Sequence, residues 1–196
     1  LSELANVWGY SLSWLEAVAF VFTLATVILN VRANVLAWPL GIVGTALYAV
    51  LFWGAKLYGD FSLQFVFIGS SIYGWTQWAR GGEGATSLPV TGLSRQSLAV
   101  HALVALSLWP LLGAFFDRFT DTDVPYYDAF PTALSLVGQW LLAKKVLENW
   151  LFWIVADVVY IALYASKALY LTSLLYAIFL VLCVLGLREW RKNLAT

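Results

Sequence analysis

The chain has 196 residues with 11 basic and 11 acidic side chains, and 62% of it is hydrophobic against 11% charged, with a mean hydropathy of +0.80. A soluble domain is about 45–50% apolar and about 25% charged; a chain this short has too little interior to hide the excess, so much of its surface must face lipid. Zero net charge leaves no electrostatic footprint for nucleic acid, and a single cysteine, Cys183, rules out an intramolecular disulfide.

No basic region precedes a short apolar run at the N-terminus, so no cleavable signal peptide is expected. Apolar runs near bilayer-spanning length then follow at 12–31, 36–53, 61–79, 97–116, 129–143, 150–166 and 168–187. They do not alternate as barrel strands would, and a span in lipid must satisfy its own backbone, so seven helices are predicted. Pro39 suits the first turn of the second span, and Asp60 and Thr172 read as N-caps of the third and seventh. Between the third and fourth spans, 80–96 (RGGEGATSLPVTGLSRQ) reads as a flexible linker. An acidic loop from Asp117 to Asp128 follows the fourth span, and Cys183 reads as a small buried hydrophobe in the seventh.

Seven spans put Lys56, Arg118 and Lys167 on one side with the N-terminus. They put Arg32, Arg80, Arg95, Lys144, Lys145, Arg188, Arg191 and Lys192 on the other. Positive charge marks the cytoplasmic side, which predicts the N-terminus outside and the C-terminus inside. Trp8, Trp14, Trp75, Trp78 and Trp190 fall near span ends, where aromatic belts lie.

The chain repeats itself. A shift of 112 residues lays 14–80 on 126–192 without a gap. It matches Trp38 with Trp150, Tyr48 with Tyr160, Phe67 with Phe179, Gly74 with Gly186, Trp78 with Trp190, and Arg32 with Lys144. Three spans per half separated by one span give parallel repeats about an axis along the membrane normal, with a crevice between them. The expected organisation is a first bundle at 12–80, a linker and fourth helix at 81–116, and a second bundle at 126–192.

Polar groups within spans usually face a cavity or a partner. Trp150, Trp153, Asp157, Tyr160 and Tyr164 share one face of the sixth span, and Trp38, Gly41, Thr45, Tyr48 and Phe52 the related face of the second. An aromatic wall beside a carboxylate suits a flat, cationic heteroaromatic ligand; the same rings could instead pack against neighbouring helices. Gln64 and Gln139 could hydrogen-bond a ribose or amide, or bridge helices. Glu16 and Asp128 read as solvated span ends, and Trp75 with Trp78 as an interface anchor. His101 stands alone, with no second ligand for a metal, and reads as a hydrogen-bonded histidine. No cofactor is expected.

The run Glu148-Asn149-Trp150-Leu151-Phe152-Trp153, continuing to Asp157 and Tyr160, resembles the W-x-x-W region of the Pnu family of bacterial vitamin transporters. Leu169-Tyr170-Leu171-Thr172 and Gly186-Leu187-Arg188-Glu189-Trp190 are similar to that family's last helix. Trp38-Pro39-Leu40-Gly41-Ile42, Leu57-Tyr58-Gly59-Asp60 and Tyr73-Gly74-Trp75 are similar to its first half. The resemblance implies uptake of a vitamin or nucleoside precursor, most often nicotinamide riboside, with thiamine, riboflavin and deoxynucleosides as alternatives. It implies two three-helix bundles joined by a linker helix as in SWEET sugar transporters, homotrimers in the bacterial cytoplasmic membrane, and facilitated diffusion with retention by a cytoplasmic kinase. By motif match it implies ligand contacts at Asn149, Trp150 and Trp153.

Two other classes fit less well. An intramembrane enzyme needs a nucleophile with its base, a paired-aspartate motif or H-E-x-x-H, and none is present. A retinal protein needs a lysine inside its last span. Proton-coupled transport through Glu16, Asp128 or Asp157 stays open.

Overall fold

The computed structural model describes residues 3–7, 10–54, 58–81, 88–120, 122–166 and 170–194. It is all-α apart from one short antiparallel hairpin, β1 (Glu3–Val7) with β2 (Tyr10–Ser13), which the sequence patterning did not suggest. Seven helices follow: α1 (Trp14–Val31), α2 (Ala37–Gly54), α3 (Tyr58–Arg80), α4 (Arg95–Phe119), α5 (Pro125–Ala143), α6 (Asn149–Ser166) and α7 (Tyr170–Lys192). Each coincides with an expected span. Helices α3, α4, α5 and α7 extend three to five residues further at one end, because polar end residues such as Arg95 and Lys192 continue a helix beyond its apolar stretch.

The caps expected at Asp60 and Thr172 are not caps. Both residues lie within the first turn of their helices, α3 and α7, and their side chains fall outside the described residues. The side chains of Phe52 and Tyr164, and residues Trp8, Lys56, Leu57, Lys167 and Leu169 altogether, also lie outside them.

By length and composition, Trp14–Val31, Arg95–Phe119 and Ser173–Lys192 are apolar and long enough to cross a membrane. Ala37–Leu51 and Asn149–Leu163 are apolar but shorter. Helix α5 is packed on many sides, burying Ala129, Ala133, Val137, Leu141 and Ala143, so helix neighbours rather than lipid cover much of it. In contrast, α4 leaves Val100, Leu103, Leu106 and Leu111 exposed, as a lipid-facing helix does.

The halves contact each other through two seams, α1 with α7 and α3 with α5, which the 112-residue shift interchanges. Trp78 on α3 donates its indole N–H to the Leu142 carbonyl near the end of α5, at 3.2 Å. Trp190 on α7 donates to the Asn30 carbonyl near the end of α1, at 2.9 Å. The two bonds are repeat images of each other. Trp38 meets Trp78 edge-on at 5.3 Å between centroids, and Trp150 meets Trp190 edge-on at 5.4 Å. Glycine is required beneath each partner ring: a Cβ on Gly74 would collide with the Trp38 indole, and one on Gly186 with that of Trp150.

Trp78 and Trp190 therefore do not serve as membrane-interface anchors. Both are buried, and each N–H finds its acceptor inside the protein. Trp75 and Trp14 remain exposed.

The linker also departs from expectation. Residues 82–87 lie outside the described residues, but the following segment is docked rather than free. Thr91 exchanges backbone hydrogen bonds with Lys145 and Leu147 in the α5–α6 turn, and the Leu93 N–H donates to Glu148 Oε2 at 2.9 Å. Ser94 caps α4 through the Ser97 N–H. Backbone pairing fixes this Gly- and Ser-bearing stretch, which composition alone marks as loose.

Candidate functional site

A cavity of about 290 Å³ lies between the halves, lined from α1, α2, α3, α5, α6 and α7. Its lining repeats as the helices do. Thr23 and Ser135, Val27 and Gln139, Asn30 and Leu142, Trp38 and Trp150 are repeat-related pairs, as are Gly41 and Trp153, Thr45 and Asp157, Phe67 and Phe179, and Ser71 and Cys183. These pairs make up sixteen of the twenty lining residues, so the two halves line the cavity with equivalent positions.

Helix geometry explains the pattern. On α6, Trp150, Trp153, Asp157 and Tyr160 are spaced by three or four residues and face inward together. Asp157 is buried, and the Cys183 thiol donates to its Oδ2 at 3.4 Å. The Tyr160 and Tyr176 rings meet at 4.6 Å and extend the aromatic wall from α6 to α7. Gln139 donates to Ser71 Oγ at 3.4 Å, joining α5 to α3 at the cavity edge. The buried Nε1 atoms of Trp38 and Trp150 and the buried Oδ1 of Asn30 have no hydrogen-bond partner in the protein. Such groups are costly unless something completes them. Among the lining residues there is one carboxylate and no Lys, Arg or His.

Of the residues singled out from sequence, the cavity gathers Trp38, Thr45, Gln139, Trp150, Trp153, Asp157 and Tyr160. It does not include Tyr48, Gln64 or Asn149. Tyr48 and Gln64 are half-buried elsewhere on α2 and α3. Asn149 is fully buried at the start of α6, where its side-chain N–H donates to the Val146 carbonyl at 2.6 Å, while its Oδ1, like that of Asn30, has no hydrogen-bond partner in the protein. Sequence reasoning missed Thr23, Thr26 and Asn30 on α1, Ser135 on α5, Ser71 on α3, and Tyr176 on α7. The repeat shift was the available signal on α1, since it carries Gln139 onto Val27, whose helical face also holds Thr23 and Asn30. Outside the cavity, His101 is half-buried with Nδ1 at 2.8 Å from the Ser97 carbonyl. Asp128 accepts a hydrogen bond from Thr122 at the head of α5.

Comparison with known proteins agrees with this architecture. The model of the nicotinamide mononucleotide transporter family matches residues 13–192. The chain belongs to this family. It is 26% identical to the nicotinamide riboside transporter PnuC of Escherichia coli, over 93% of this chain and 87% of that protein. It is 25% identical to the riboflavin/roseoflavin transporter RibM of Streptomyces davaonensis, over 96% of this chain and 90% of that protein. The crystal structure of the vitamin B3 transporter PnuC has the same fold, with a TM-score of 0.77 at 22% identity, covering 92% of this chain and 82% of that one. The protein is thus a multi-pass member of a family of membrane transporters.

Proposed function

We propose that this protein takes up nicotinamide riboside by facilitated diffusion, binding it in the cavity between the halves. The observation that carries this reading is the lining: three indoles, the Asp157 carboxylate and no basic side chain. A pyridinium ring can stack between indoles and gain cation–π attraction, and Asp157 balances its charge. A phosphate has no cation to meet among the lining residues, which favours the riboside over the mononucleotide of the family description. The volume is at the lower end of the range of ligand pockets, as a small vitamin requires.

In the mechanism we infer, residues 12–80 and 126–192 act as two bundles that rock about the cavity, joined by 81–116. Pro39 and the glycines of α2 ease bending. Trp38, Trp150 and Trp153 hold the ring, and Asp157 its charge. Thr45, Gln139 and Tyr160 offer hydrogen bonds. With no gradient coupled to transport, accumulation depends on a cytoplasmic kinase that phosphorylates the product. The N-terminus lies outside, the C-terminus in the cytoplasm of a bacterium, and the functional unit is a homotrimer. Similarity to RibM supports riboflavin as a second substrate reading, and thiamine shares the cationic ring.

Isothermal titration calorimetry on the purified protein tests this. Nicotinamide riboside is expected to bind, with the mononucleotide far weaker. Binding of riboflavin or thiamine alone would move the substrate and keep the site; no binding to folded protein would overturn the reading. Substrate accumulation against a gradient in kinase-free liposomes would replace facilitated diffusion with proton coupling.

A further inference from the structure

The paired lining makes the exceptions informative. Trp38 and Trp150, and Phe67 and Phe179, are identical; Thr23 with Ser135 and Ser71 with Cys183 keep the same chemical class. Four pairs diverge: Gly41 corresponds to Trp153, Thr45 to Asp157, Val27 to Gln139 and Asn30 to Leu142. A symmetric box would accept a ligand in two opposite orientations. The first two divergences put the extra ring and the only lining carboxylate on α6, so a cationic ring has one preferred end.

Asn30, on α1, is the polar member of the pair whose other member is leucine. The residue is only 7% exposed, and its Oδ1 has no partner. The Asn30 backbone carbonyl is already taken by the Trp190 indole, which fixes the residue at the cavity wall. One turn earlier, Thr26 lines the same wall and donates its hydroxyl proton to the Phe22 carbonyl, so its oxygen faces a ligand as an acceptor. Acceptors call for donors, and nicotinamide riboside has them in its ring carboxamide and its sugar hydroxyls; with the ring drawn to Trp153 and Asp157 on α6, the hydroxyls are the donors left for α1.

We propose that Asn30 is a specificity-determining residue whose Oδ1 accepts a hydrogen bond from a sugar hydroxyl of the ligand, holding the sugar against α1 while the cationic ring lies against α6. This rests on the riboside reading of the cavity. The test compares two ligands on purified wild-type protein and on Asn30→Leu, which copies the residue of the other half. The ligands are nicotinamide riboside, by direct titration, and N-methylnicotinamide, which carries the same cationic ring without the sugar, by displacement of the riboside. Asn30→Leu is expected to weaken the riboside about tenfold, the scale of one lost hydrogen bond that leaves a donor unpaired, and to leave the methylated ring within about twofold. Asn30→Ser, which is smaller and still polar, is expected to give the same split if the leucine variant fails to fold. Equal riboside affinity in wild type and variant would overturn the role of Asn30 while keeping the riboside site. Equal weakening of both ligands would reduce Asn30 to a packing residue. Failure of the wild type to bind the riboside would instead remove the functional reading itself.

Discussion

The α1–α2 corner and the α5–α6 corner follow one backbone path. In each, the second residue past the helix takes a left-handed conformation: Ala33 at φ 50° and Lys145 at φ 57°. Ala33 N–H reaches the Asn30 carbonyl and Asn34 N–H that of Leu29, as Lys145 N–H reaches Leu142 and Val146 N–H reaches Leu141. The side chains then part company. The first corner is closed by its own Asn34, whose Oδ1 accepts the Leu36 N–H. The second has its own Asn149 N–H on the Val146 carbonyl but is held from outside as well: the buried Lys145 ammonium donates to the Leu88 carbonyl at 2.7 Å and lies over the Trp78 ring at 4.8 Å. Burial pushes the Lys145 amine below its ordinary range, and that carbonyl and ring are what make its charged form tolerable there. Repetition thus preserved the backbone and the reciprocal tryptophan bonds, while each corner and each cavity wall acquired its own chemistry.

The largest expected effect falls on what the halves share. Trp78→Ala and Trp190→Ala should each destabilise the protein by about 3–5 kcal/mol, read as a lowered unfolding temperature in detergent. A negligible shift for either would show that the two bonds are not equivalent supports. Next come the cavity walls, where the halves differ: Trp153→Ala should weaken ligand binding by about 1–3 kcal/mol, measured by calorimetry, and unchanged affinity in folded protein would return that ring to helix packing. Asp157→Asn should cost about 1.5 kcal/mol of affinity for a cationic ligand and little for a neutral one, whereas its counterpart change Thr45→Val should not distinguish the two ligands. The smallest effect concerns the corners. Ala33→Gly relieves a left-handed conformation and should stabilise the protein by about 1 kcal/mol. Lys145→Gly relieves the same conformation but loses the bond to Leu88 and the contact with Trp78, so thermal unfolding should show no gain. Equal gains at both corners would mean that the docked linker contributes nothing.

Much of the candidate site was legible because helical spacing alone puts Trp150, Trp153, Asp157 and Tyr160 on one face. Asn149 and Tyr48 shared the motif or the periodicity but not the cavity lining: Asn149 sits at the helix corner, its side-chain N–H on the Val146 carbonyl, and Tyr48 sits a turn beyond the lined stretch of α2. The α1 contribution was hidden because Thr23, Thr26 and Asn30 are small polar residues in an apolar helix, and nothing local says that α7 and α2 pack beside them.

Composition and the unalternating apolar runs determined a lipid-embedded, helical chain, since in lipid only a helix or a closed barrel satisfies its backbone and a barrel needs alternation. The ungapped 112-residue shift matched Trp78 with Trp190, whose indole bonds to Leu142 and Asn30 also match. Only the tertiary structure decided that Trp78 and Trp190 turn inward, that 88–93 docks on the second corner, and which wall of the cavity carries Asn30. Those outcomes depend on hydrogen-bond partners far away in sequence, 64 residues away for Trp78 and 160 for Trp190, and a local pattern of residues carries no record of what packs across from it.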